Sequence, residues 1–294
     1  MRTPAFTLIE LLVAISIIAL LIGILLPVLG AARVVGQRAT TLSDIRQTTL
    51  AYSVYQLDYD GHVIWGFPPG IINGEPVLAR DPQTGTVYGV PVSERYPWRL
   101  GPYIQNVWDV IYSGQEPPPR DNAYFISLIP TFGLNTVFVG GHVGPWRGFV
   151  PDSSGVSGSF APNAGEHVVF WDREVQDTSE LIVFAEVFAS TGGASPFESL
   201  GYPEAGMFWA TPPWAGWGTT PQRRWVVSDG KAKSAGAGPI QGLPGSRSGE
   251  GVPTSFFDGH AEVLSPEELD DMQLWANDAL AADDDVLVRY RTTN

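Results

Sequence analysis

Apolar positions are concentrated at one end of the chain. From Phe6 to Leu29 it reads FTLIELLVAISIIALLIGILLPVL, with Glu10 as the sole ionisable side chain. Twenty-four residues at about 1.5 Å each make a helix of roughly 36 Å, enough to cross a bilayer core with some tilt. Beyond Pro27 the pattern becomes amphipathic. Ala31, Val35, Ala39, Leu42, Ile45, Thr49 and Val54 recur at steps of three and four up to Thr49 and then five, while Arg33, Arg38, Asp44, Arg46 and Gln47 fall on other faces. The helix is expected to run to about Leu57 and to stop at Asp60-Gly61, where glycine supplies the left-handed turn.

From Gly66 to Gly251 short apolar runs alternate with Gly, Pro, Asn and Asp clusters. Val137–Val139, Val168–Trp171, Leu181–Val187 and Trp225–Val227 read as strands. The stretches Trp98–Tyr112 and Tyr124–Pro130 fit short helices or strands equally well. Ser228 to Gly251, rich in Gly and Ser and holding both lysines, reads as an exposed, mobile loop. In SFFDGHAEVL, Asp258-Gly259 sits between two strand-like runs and predicts a two-residue hairpin turn. Ser265, Pro266 and Glu268 then supply an N-cap, a first-turn proline and a capping-box acid for a helix from Pro266 to about Ala282.

Glu10 is costly where it stands. An acid inside an apolar span costs about 2.5–3.5 kcal/mol on insertion scales. Two readings stay open. It meets an α-amine or another chain's positive group, or it sits protonated near the lipid interface. A secretory signal is the competing reading of the whole run, with Gly30-Ala31-Ala32 imitating a cleavage site, but the run is long for such a signal.

The segment PAFTLIELLVAISIIALLIGILLP resembles the class III signal of type IV pilins and type II secretion pseudopilins. The resemblance implies a membrane-inserted prepilin, cut by a dedicated peptidase between Ala5 and Phe6 and then N-methylated on Phe6. Glu10 would be the assembly glutamate, fifth in the mature chain, and Pro27 the proline that interrupts the membrane helix. Ala5 stands where the family usually has Gly. The C-terminal part also resembles the bacterial pilin-like group with an H-x9-DG element. Asp258-Gly259 matches its DG, while Ser248 stands where the His would be.

On this resemblance the fold is α+β: a long N-terminal helix packed on a loop-rich, mainly antiparallel sheet. The chain divides into a leader (1–5), a membrane and filament-core helix (6–29), its amphipathic continuation (30–60) and an extracytoplasmic head (61–294). The partners implied are further copies or related pilins through the helix, the prepilin peptidase and methylase, and the bacterial inner membrane. A membrane-anchored binding module that does not polymerise, and an enzyme tethered by its anchor, are the rivals.

Composition narrows the chemistry. The chain has 294 residues, 44% of them hydrophobic, and no cysteine, which removes disulfides, thiolate nucleophiles and Cys-ligated metals. A net charge of −14 argues against broad binding to nucleic acid. The four histidines, His62, His142, His167 and His260, stand in no HExxH arrangement, and there is no P-loop or GxSxG, so no catalytic residue is expected. Gly236, Gly238 and Gly242 lack the strand-to-helix setting of a dinucleotide site. No cofactor is expected, with Ca²⁺ at Asp58/Asp60, Asp270/Asp271 or Asp283–Asp285 as the one metal reading. The many Trp and Tyr residues suit a core, or subunit contacts, better than a glycan surface.

Overall fold

A computed structural model describes residues 8–66, 68, 70–72, 74–104, 107–141, 168–189, 197–202, 205–216, 221–235, 242–249 and 251–279. Helix α1, Leu8–Asp58, is continuous over 51 residues, about 76 Å at 1.5 Å per residue. Pro27 lies inside it and does not break it. The missing proline N–H removes one rung, the bond to the residue-23 carbonyl, and the turns on either side carry the helix through. The stop falls where expected, with Asp60 at φ 53° and Gly61 at φ 84° reversing the chain.

The head is built on a five-stranded antiparallel sheet. Its strands are β1 (Phe132–Leu134), β2 (Ile182–Phe188), β3 (Leu243–Pro244), β4 (Val252–Phe256) and β5 (Ala261–Leu264). β2 is the centre. Its odd-numbered residues bond towards β1, as in Asn135 N to Val183 O, and its even-numbered residues towards β3, as in Gly245 N to Glu186 O. β4 pairs with β2 through Ser255 opposite Phe184, and with β5 through Ser255 opposite Ala261. Ile182 to Val187 are all buried, which explains a strand read as one unbroken apolar run.

Aromatic residues fill much of this core, and five of them place their polar ends on backbone carbonyls. Trp98 Nε1 donates to the Ala123 carbonyl, Trp225 Nε1 to Thr211 and Trp275 Nε1 to Leu269. Tyr96 and Tyr112 hydroxyls donate to the Phe132 and Ile126 carbonyls, each at 2.6 Å. The stretches left open in sequence are helical: α2 (Tyr96–Leu100), α3 (Val107–Ile111) and α4 (Ala123–Leu128).

Several local expectations change. Val137–Val139 is not a strand, since only Val139 bridges, to Val169, and the residues before it form a turn closed by Asn135. Part of the expected loop after Ser228 is regular. Lys231–Ser234 pairs with Trp225–Ser228 through Asp229 (φ 55°) and Gly230 (φ 66°), and this is the true two-residue turn. The Asp258-Gly259 turn is instead a three-residue loop. Phe256 N bonds the His260 carbonyl, and Gly259, at φ 92°, closes back on Phe256. The C-terminal helix α5 is only Pro266–Leu269. The capping box forms, but Asp271 accepts from Gln273 N and starts a separate 3₁₀ turn, and Trp275 turns inward onto the Leu269 carbonyl.

The amphipathic reading of α1 also needs correction. The buried face consists of Thr41, Asp44, Ile45, Thr48, Thr49, Ala51, Tyr52, Tyr55 and Gln56, whereas Val54 is 47% exposed. Asp44 points inward because the head offers it a hydroxyl, on Ser113. The whole is the α+β pilin-like architecture, a long helix packed on an antiparallel head.

Candidate functional site

Of the two halves of α1, only the second is covered. Residues 8–40 are exposed apart from half-buried Ala14 and Arg38, and the first buried side chain is Thr41. Residues 8–37, about 45 Å of helix, thus project from the head. Leu8 to Leu29 carries apolar side chains on all its faces, so no single neighbouring surface could satisfy it. Among the described residues this helix alone is long and apolar enough to cross a membrane. Glu10 lies within that run, one exposed carboxyl among hydrocarbon. Ala5 and Phe6 lie outside the described residues.

Over residues 2–26, which include FTLIE, the sequence matches the prokaryotic N-terminal methylation motif. The chain carries a prepilin-type methylation motif. That motif spans Ala5, Phe6 and Glu10 and ends one residue short of Pro27. No curated protein and no solved structure matches the chain. The motif implies processing by a prepilin peptidase, and pilin-like proteins are in general structural, not enzymatic.

The methylation-motif helix is joined to the head by a polar seam. Thr49 and Ser255 hydroxyls lie 2.7 Å apart, and Ser113 Oγ lies 3.4 Å from Thr41 Oγ1. Arg46 reaches the Ala261 carbonyl on β5 at 3.4 Å. Asp44 sits within this seam. Burial pushes its carboxyl above the usual 3.8, the Ser113 bond pulls it back, and the like charge of Asp109 on α3 adds to the rise. An acid with a raised folded pKa costs stability once ionised. The cost is absent below the unfolded value and complete above the folded one. Asp44→Asn, which can still bond Ser113, is expected to raise the Tm at pH 7 by about 2–4 °C, roughly the shift that 1 kcal/mol gives at this size. A melt at pH 3 should show no such gain.

Behind the sheet's centre lies a buried ion pair that the sequence did not reveal. Glu186, on β2, is 1% exposed at its side chain and Arg247 is 6% exposed. Glu186 Oε1 accepts from Arg247 Nη1 at 3.0 Å and from Arg247 N at 2.9 Å. Arg247 Nη2 donates to the Val187 carbonyl, and the guanidinium lies over the Phe188 ring at 4.5 Å. Burial pushes the Glu186 carboxyl up, and Arg247 opposes it. The available signal was a lone acid inside the apolar run IVFAEVF, which demands a cation. Nothing local says that the cation is 61 residues away.

The other sequence candidates serve the fold. His260 stacks on Phe256, ring centroids 4.3 Å apart and nearly parallel, and its Nδ1 lies 2.6 Å from Asp258 Oδ1. Burial tends to raise the Asp258 carboxyl, but the His260 backbone and ring bonds outweigh it and hold it below its usual value. Asp270 is held by Arg223, and Glu268 and Asp271 are engaged as caps. Among the described residues no group of three or more His, Asp or Glu converges on a metal position. Asp58 and Asp60 flank the helix stop. His142, His167, Gly236, Gly238 and Asp283–Asp285 lie outside the described residues, so those readings have no structural counterpart here.

Proposed function

We propose that the chain is a structural subunit of a type IV pilus-like filament or a type II secretion pseudopilus. It is inserted in the bacterial inner membrane as a prepilin with its head outside the cytoplasm. It is cut between Ala5 and Phe6, methylated on Phe6 and polymerised through its N-terminal helix, with copies of itself or related pilins. The observation that carries this reading is the methylation motif at the start of an apolar helix that the head leaves uncovered.

The physical logic is consistent. Cleavage creates an amine at Phe6, one helical turn from Glu10 and close to it in bilayer depth. In a bundle of such helices Glu10 of one subunit neutralises the Phe6 amine of its neighbour, so two desolvation costs are offset together. Pro27, one rung short, is the place where α1 unwinds or bends most cheaply as subunits stack. The uncovered apolar faces are then satisfied by other copies.

Processing tests the reading directly. Intact mass spectrometry of native protein should show loss of residues 1–5 and one added methyl, located on Phe6 by fragmentation. A chain that keeps Met1, or that begins near Arg33, overturns it. Correct processing without any filament in sheared surface material supports the membrane-anchored binding module instead.

A further inference from the structure

The covered face of α1 changes character along its length. Between residues 41 and 49 its buried side chains are Thr41, Asp44, Ile45, Thr48 and Thr49, four of five polar. Above residue 50 the character is aromatic. Tyr52, 1% exposed, meets Phe184 and Phe257 edge-on, and Tyr55 stacks on Tyr59 at 4.3 Å with Tyr103 against its edge.

The lower contacts are of a kind that water replaces without loss. Thr41, Thr48 and Thr49 hydroxyls each donate to a carbonyl of their own helix four residues back, at 3.0, 2.9 and 2.8 Å. Separation from the head therefore leaves no threonine donor unsatisfied. Ser113 and Ser255, on the head side, regain water as a partner. Ile45 is the one hydrocarbon among these five side chains and half-buried Leu42 also packs against the core, so opening uncovers the apolar surface of two side chains. Asp44 regains hydration and escapes the charge of Asp109. Opening above Tyr52 would instead break an aromatic cluster.

We propose that the seam between residues 41–49 of α1 and the head is a hinge that opens while the head stays clamped at Tyr52–Gln56. Opening would free a threonine-rich strip of α1 next to its uncovered apolar half. The opening itself follows from the seam. Its use during polymer assembly rests on the filament reading above.

The chain has no cysteine, so single-cysteine reporters are clean. In full-length protein in detergent micelles, N-ethylmaleimide labelling of Thr48→Cys is compared with that of Gln56→Cys. Thr48 is 0% exposed and Gln56 6%, so burial alone orders the rates the wrong way for the hinge. The hinge requires Thr48→Cys to label faster by about tenfold, as expected for local opening below the global unfolding free energy. Thr41→Cys is the second reporter should Thr48→Cys lose its native near-UV signal. Equal rates, or faster labelling at Gln56→Cys, overturn the hinge.

A second arm locks the seam with a Thr49→Cys/Ser255→Cys disulfide. Sheared polymer should fall by about fivefold or more when the lock is oxidised and recover on reduction, if assembly draws on the opening. Unchanged polymer in the oxidised variant overturns that use of the hinge. Wild type that forms no polymer overturns the filament reading, and the labelling result still decides the hinge.

Discussion

Glu10→Ala should insert and be processed like wild type, yet leave little polymer in sheared material. Removing the acid makes the helix easier to insert, by at most the roughly 2.5–3.5 kcal/mol that a carboxylate costs at mid-membrane. A simple anchor should therefore tolerate the change or gain from it. A subunit whose Glu10 meets a neighbour's Phe6 amine should not, because losing one partner leaves the other charge buried, at about 3–5 kcal/mol for each contact. The two accounts give opposite signs for one substitution. The measurement is the ratio of sheared polymer to protein left in the membrane, wild type against variant. Equal ratios would remove the pairing role from Glu10.

Arg247→Leu should destabilise the head more than any surface change. It keeps a bulky apolar side chain near the Phe188 ring but strips Glu186 of its ion pair and removes the guanidinium's bonds to Glu186 Oε1 and to the Val187 carbonyl. Breaking a buried pair from one side costs about 3–5 kcal/mol, which in a domain of this size lowers Tm by on the order of 10 °C. Adding Glu186→Gln should recover a large part of the loss, since the uncompensated charge is gone. Thermal melts of the two variants and wild type in one detergent check both statements. A single variant that melts with wild type would mean that the carboxyl is carried neutral and that the pair adds nothing.

Composition-level patterns served well where a single segment decides its own state. The apolar run, its one acid, the helical continuation past Pro27 and the Asp60-Gly61 stop are local, and α1 ends at Asp58. The capping box at Ser265 and Glu268 formed as its residues dictate. Errors arose where a neighbour distant in sequence changed the outcome. A helix expected to reach Ala282 is one turn long, because Trp275 is drawn into the core. Asp229-Gly230 carried the same turn signal as Asp258-Gly259 but was hidden inside a Gly- and Ser-rich stretch. The side chains that make the seam escaped for a related reason. Thr49 was placed on the covered face, but Thr41, Asp44 and Thr48 were not, because polar residues read as outward-facing on a helix until a partner surface supplies hydroxyls.

By itself the sequence determined the axis of this protein: an apolar helix with one acid, a methylation motif at its start, and a stop fifty residues on. These properties depend on residue type and on spacings within one helix, so no distant contact is needed to set them. Only the tertiary structure decided which face of that helix is covered, that full burial begins at Thr41, and that Glu186 finds Arg247. Those outcomes depend on which residues distant in sequence come together. A one-dimensional pattern shows that a buried acid needs a partner but not where the fold will bring one.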